Sequence, residues 1–157
     1  MQSINQAAAV FLASRRVAVT GVSRTPQTHG ANNVYRRLRE RGYQVFAVNP
    51  NTDQVEGDRC YQDLKSIPGG VEAVVIGTRP EIAGDTIREC AELGITRVWM
   101  HRGPGAGSVS AAATGYGRQH GITVRSPLVR NTCASNSFAR KWPASAPASS
   151  SAGMVVL

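Results

Sequence analysis

The chemistry this sequence can offer sits in a few short stretches. The first is Thr20-Gly21-Val22-Ser23-Arg24, followed by Gly30-Ala31-Asn32. A glycine at a strand-to-helix turn lets backbone N–H groups approach a phosphate, and the next helix presents the positive end of its dipole. Gly21 and Gly30 are nine residues apart, which is not the G-x-G-x-x-G spacing of a dinucleotide turn. Arg24 adds a full charge that such a turn leaves to the backbone. Three further stretches close apolar runs: Asn49-Pro50-Asn51, Thr78-Arg79-Pro80 and Met100-His101-Arg102-Gly103.

The second of these strand ends discriminates between ligands. An NAD site usually has Asp or Glu there to hold the ribose diol, whereas this chain has Asn49-Pro50, and its next carboxylate is Asp53. NADP or coenzyme A therefore fits better than NAD, although Asn-Pro also serves as an ordinary strand terminator. Candidates for catalysis are few. His101 is a lone histidine with no placed carboxylate, so a ligand contact or a spectator is expected rather than an acid or base. His120 precedes Gly121 at a helix end, where a cation suits the dipole, and His29 lies in the first loop. Cys60, Cys90 and Cys133 are odd in number and widely spaced, which indicates neither a disulfide framework nor a zinc site. No catalytic constellation and no metal ligand set is expected.

The elements that position these residues alternate between strand and helix. After an amphipathic start over residues 5–12, Arg16-Val17-Ala18-Val19-Thr20 is a β-branched run stopped by Gly21. Residues 31–41 place Val34, Tyr35 and Leu38 at helical spacing, and Tyr43-Gln44-Val45-Phe46-Ala47-Val48 is a second strand. An irregular stretch with a short helix at 63–66 follows. Ala73-Val74-Val75-Ile76-Gly77 is a continuous apolar run of the kind parallel strands show. Pro80 then opens a helix that ends at Gly94, Thr96-Arg97-Val98-Trp99-Met100 is the fourth strand, Ser108 is a helix cap, and Ile122-Thr123-Val124 is the fifth strand. Strands separated by helices predict an α/β fold, a Rossmann-like doubly wound parallel sheet of about five strands in the order 3-2-1-4-5. The crevice beyond the strand ends is then the binding site.

The 157 residues carry a net charge of +8. Up to Glu92 there are 11 basic and 10 acidic residues, or +1, and beyond it 7 basic and none acidic, or +7. The basic excess belongs to the C-terminal part, where residues 125–157 are rich in Ser, Ala and Pro. That segment is expected to be a divergent, disordered tail behind a domain at 1–124. No apolar run spans a bilayer, no leader is expected, and a cytoplasmic setting is the default.

Several runs together carry a family resemblance. They are Arg16-Val17-Ala18-Val19-Thr20-Gly21-Val22-Ser23-Arg24, Gly30-Ala31-Asn32-Asn33-Val34-Tyr35-Arg36-Arg37-Leu38, and Gly42-Tyr43-Gln44-Val45-Phe46-Ala47-Val48-Asn49-Pro50-Asn51. Val55-Glu56-Gly57 with Cys60-Tyr61, Thr78-Arg79-Pro80, and Val98-Trp99-Met100 before a glycine-rich loop complete them. Over residues 11–124 the chain resembles the small stand-alone CoA-binding proteins, similar to the N-terminal CoA-binding domain of the succinyl-CoA synthetase α subunit. The resemblance implies that Gly21, Val22, Ser23, Arg24, Gly30, Ala31 and Asn32 hold the diphosphate of coenzyme A or an acyl-CoA. It implies that Asn49 and Pro50 border the adenosine and its phosphorylated ribose, and that Thr78, Arg79, Pro80, Met100, His101 and Arg102 line the pantetheine path. The arginines Arg24, Arg79 and Arg102 suit a ligand with three phosphates.

The segment Arg125-Ser126-Pro127-Leu128-Val129-Arg130-Asn131-Thr132-Cys133 departs from the family's compact Gly-Cys-Pro-type ending, and Arg102-Gly103-Pro104-Gly105 differs from its Gln-Pro-Gly loop. Binding without turnover is the expectation, with a homodimer or a partner enzyme left open and no nucleic acid or membrane as partner. The alternatives are an NADP-dependent oxidoreductase, which needs a proton donor that Lys65 and Lys141 are poorly placed to complete, and a basic nucleic-acid-binding module.

Overall fold

The computed structural model describes residues 4–25, 30–101 and 108–125. They form α1 (Ile4–Leu12), β1 (Arg16–Thr20), α2 (Gly30–Glu40), β2 (Gln44–Val48), β3 (Gln54–Val55), β4 (Asp58–Tyr61), β5 (Ala73–Ile76), α3 (Pro80–Glu92), β6 (Arg97–Met100), α4 (Ala111–Gln119) and β7 (Thr123–Arg125). The seven strands make one sheet in the order β3-β4-β2-β1-β5-β6-β7, parallel throughout except for the β3–β4 hairpin.

Side-chain alternation splits the core into two layers. Val17, Val19, Ala73 and Val75 face α2 residues Ala31, Val34, Tyr35 and Leu38 together with Phe11, while Ala18, Val74 and Ile76 face the α3 and α4 residues Ala83, Ile87, Cys90 and Ala113. Because helices cover both faces, β1 and β5 are buried almost end to end and read as unbroken apolar runs. The direction of winding changes between β1 and β5, which is where an open α/β sheet leaves its crevice.

The Rossmann-like α/β architecture is therefore as expected, while strand count and order differ in detail. The third strand of the sequence reading, now β5, lies against β1 on the side away from β2, so those five strands run 2-1-3-4-5. The place outside β2 is taken by β4, which the sequence conceals. Asp58-Arg59-Cys60-Tyr61 buries only Cys60 and pairs with β2 at two positions, so it has no apolar run to announce it. Residues 63–66 form a turn rather than a helix, with the Asp63 carboxylate accepting from the Ser66 backbone N–H at 2.7 Å. Helix α4 is capped two residues later than expected: Ser110 Oγ accepts from Ala113 N–H, and Ser108 instead donates to the Thr78 carbonyl. The expected tail beyond residue 125 lies outside the described residues, as do His29 and the glycine-rich loop at 102–107.

Candidate functional site

Parallel register brings four strand ends level. Thr20 pairs with both Val48 and Ile76, and Ile76 pairs with Met100, so β2, β1, β5 and β6 all stop in one row. The residues immediately beyond that row are Asn49, Gly21, Gly77 and His101, and they floor the crevice. Gly21 has φ +78, and a Cβ built on it would fall 2.5 Å from the Gly77 carbonyl carbon. A Cβ on Gly77 would in turn fall 2.6 Å from the Ala31 Cβ. Two bare backbones thus pass each other under the start of α2, as a loop approaching a diphosphate requires.

The 21–24 loop is held from behind by two side-chain amides. Asn32 is wholly buried; its Oδ1 accepts from Ser23 N–H and its Nδ2 donates to the Ser23 carbonyl, both at 2.8 Å. Asn49 Nδ2 donates to the Val22 carbonyl at 2.7 Å, while its Oδ1 accepts from Asn51 N–H at 2.8 Å. The Val22 side chain sits in the core, so both sides of the loop's base are pinned. Arg24 and Arg79 are exposed at the ends of β1 and β5, and among the described residues neither is held by a carboxylate. The first turn of α2 contains no acidic residue. An anion placed at this loop would meet positive charge, and Glu56 of the β3–β4 hairpin is already engaged by Asn32.

On the other wall, Thr78 Oγ1 is buried with no hydrogen-bond partner among the described residues. A buried hydroxyl without a partner costs about 1–3 kcal/mol, and a ligand polar group beside β5 would satisfy it. The His101 ring closes the crevice against α2, with Nε2 standing 2.5 Å from where a Gly30 Cβ would be. Burial lowers the His101 pKa, which favours the neutral ring. Burial likewise raises the Cys60 thiol, and it pushes Cys90 up to about 12, so neither favours a thiolate. Among the described residues no group of three or more His, Cys, Asp or Glu is placed to hold a metal ion. No helix there is long and apolar enough to cross a membrane.

The sequence-derived site residues divide into three groups. Gly21, Ser23, Arg24, Gly30, Asn49, Pro50, Thr78, Arg79, Pro80 and His101 lie around the strand ends and are at least partly exposed. Val22, Ala31, Asn32 and Met100 are buried, so their side chains support the crevice from inside. Arg102 lies outside the described residues. One supporting residue had only a weak signal: Glu56, at the β3–β4 turn, accepts from Asn32 Nδ2 at 2.9 Å. Its trace in the sequence is an ordinary Glu-Gly turn between short polar runs.

The sequence pattern described as the CoA binding domain matches residues 15–133. The chain belongs to this CoA-binding family. It is 35% identical over 83 residues to "Acetate--CoA ligase [ADP-forming] II" of Archaeoglobus fulgidus, covering 52% of this chain and 12% of that protein. It is 34% identical over 89 residues to "Acetate--CoA ligase [ADP-forming] II subunit alpha" of Pyrococcus furiosus, covering 56% of this chain and 19% of that one. The chain thus spans less than a fifth of either relative. Its fold is shared with a hypothetical protein from Pyrococcus horikoshii, with a TM-score of 0.71 at 23% identity over 80% of this chain and 84% of that one.

Proposed function

We propose that this chain binds coenzyme A or an acyl-CoA in the crevice beyond β2, β1, β5 and β6, without turning it over. The observation that carries the reading is the close passage of Gly21 over Gly77 beneath an acid-free α2 N-terminus. That arrangement gives a diphosphate a backbone surface at which neither glycine contributes a side chain. Val22, Gly30 and Ala31 hold the diphosphate through their backbone N–H groups, Gly21 and Ser23 shape the loop with their own N–H groups donated to the Val48 carbonyl and Asn32 Oδ1, and Arg24 adds a charged contact. Asn49 and Pro50 border the adenosine and its phosphorylated ribose. Thr78, Arg79 and Pro80, with His101 facing them, line the path of the pantetheine arm, and the unpartnered Thr78 hydroxyl finds an acceptor or donor there.

Membership of the family and the ligase relatives support coenzyme A over NADP. The end of β2 offers Asn49 rather than a carboxylate, as either ligand would allow, but the proton donor a reductase needs is poorly supplied. Lys65 is ion-paired with Glu92 at 2.9 Å on the surface, and Lys141 lies outside the described residues. The chain spans only a small part of its ligase relatives, so any ligation it serves needs machinery beyond these 157 residues.

A thermal-shift series with CoA, acetyl-CoA, dephospho-CoA, NADP and a single-stranded oligonucleotide tests the reading. A ligand at one hundred times its Kd stabilises by about 2.7 kcal/mol, so CoA should raise the melting temperature by several degrees. Dephospho-CoA should do so less. A shift with NADP or the oligonucleotide and none with CoA or acetyl-CoA overturns the proposal. Release of free thiol from acetyl-CoA supplied with ADP and phosphate by the chain alone overturns the part that denies turnover.

A further inference from the structure

The β3–β4 hairpin turn holds a residue whose backbone and side chain are both constrained. Glu56 has φ +55 and is the only non-glycine residue with a left-handed backbone among the described residues. Glycine, asparagine or aspartate would suit that position of a two-residue hairpin turn better. The Glu56 side chain is only 12% exposed. Its Oε1 accepts from Asn32 Nδ2 at 2.9 Å and stands 3.9 Å from Arg36 Nε, while its backbone carbonyl accepts from Arg39 at 3.2 Å. The hairpin is thereby docked on α2, on the side of the sheet that carries the 21–24 loop.

Asn32 connects the two. Its Nδ2 has two hydrogens, one donated to the Ser23 carbonyl and one to Glu56, and its Oδ1 accepts from Ser23 N–H. In a side chain with no access to water, the second hydrogen would otherwise be unsatisfied. We infer that Glu56 is a positioning residue: its carboxylate completes the hydrogen bonding of Asn32, and Asn32 then locks Ser23 in the shape that receives the ligand's diphosphate. From a turn conformation that suits glycine, the Glu56 side chain reaches α2 and places its carboxylate on Asn32. Arg36 offsets the negative charge, so the carboxylate can stand near an anion site. The ligand part of this inference rests on the coenzyme A reading, whereas the locking of Ser23 does not.

Glu56→Gly and Glu56→Gln in the full chain separate this role from simple packing. Glycine removes the acceptor and also the backbone strain, and glutamine keeps an acceptor. Hydrogen exchange at the Ser23 amide, measured by NMR without ligand, should speed up about ten-fold in Glu56→Gly, as loss of one charge-assisted hydrogen bond would give. It should return close to the wild-type rate in Glu56→Gln. The CoA Kd should weaken by a similar factor in Glu56→Gly, while the unfolding midpoint stays level or rises. Unchanged Ser23 exchange in Glu56→Gly overturns the proposal, and so does a faster exchange that glutamine fails to restore. If wild type shows no CoA binding, the coenzyme A reading falls and Ser23 exchange alone decides the role of Glu56.

Discussion

A methyl group at Gly21 would sit 2.5 Å from both the carbonyl carbon and the carbonyl oxygen of Gly77, in a backbone conformation that L side chains rarely adopt. Gly21→Ala should therefore cost about 2–5 kcal/mol, summing a left-handed backbone penalty of about 1–2 and overpacking of about 1–3. A urea midpoint shift at constant slope checks it, and a change below about 0.5 kcal/mol contradicts the close approach. Arg24 should behave in the opposite way, since its side chain is exposed and free of carboxylates. Arg24→Ala should weaken CoA about ten-fold, the loss of one charged contact, and leave the urea midpoint within about 0.5 kcal/mol of wild type. His101 adds a pH signature. Its pKa is lowered by burial, so between that value and the ordinary value near 6.5 the unfolded chain binds more protons than the folded one. Stability is then complete above about pH 6.5 and falls as pH drops below it. Denaturation at pH 7.5 and 5.5 should show a smaller loss for His101→Gln than for wild type, and equal losses would remove His101 from the buried wall.

At the level of elements, α2 does two jobs. Its start underlies the loop, and its buried face carries Val34, Tyr35 and Leu38 into the core. Tyr35 also reaches out of that face, donating to Asp58 at 2.7 Å, with Arg39 on the same carboxylate. The Tyr35 hydroxyl first, and Arg39 with it, hold the Asp58 carboxyl below its usual range. A depressed folded pKa gives a stabilisation that is complete above the unfolded value near 3.9 and is lost as pH falls from there through the lower folded value. Tyr35→Phe should cost about 0.5–1.5 kcal/mol at neutral pH. It should also make the acid limb of the stability curve shallower, and an unchanged limb would contradict the link.

The same elements explain what could be read from the sequence. The β1 and β5 runs are buried on both faces and have no polar interruption, so their type was plain. The Asn49-Pro50 stop, the Pro80 helix start and Gly21 each carry a local signal tied to one backbone geometry. The order of strands was less legible, because the β3–β4 hairpin is short, polar and at the sheet edge, and missing it displaced the third strand. The inward turn of Asn32 was hidden for another reason: a buried amide looks the same in sequence as a ligand-facing one. Only the placement of Ser23 and Glu56 around it tells them apart.

Across the whole molecule, the net charge of +8 loses its weight as a functional clue. The chain up to Glu92 is almost neutral, and the cations that the coenzyme A proposal uses are single arginines at the ends of β1 and β5. The sheet supplies a level row of strand ends, the change of winding opens a crevice between β1 and β5, and two amides and a hairpin fix the loop above it. A binding site assembled in this way should be largely pre-formed, so ligand affinity should depend on the loop and its arginines rather than on folding of the chain. Calorimetric titration of the purified chain with CoA, alongside Arg24→Ala and Arg79→Ala, tests this most directly. Saturable binding of one CoA per chain, weakened in each variant and weaker still for dephospho-CoA, is the predicted result. Absence of CoA and acetyl-CoA binding by a folded wild-type chain, or binding that neither arginine variant changes, would contradict it.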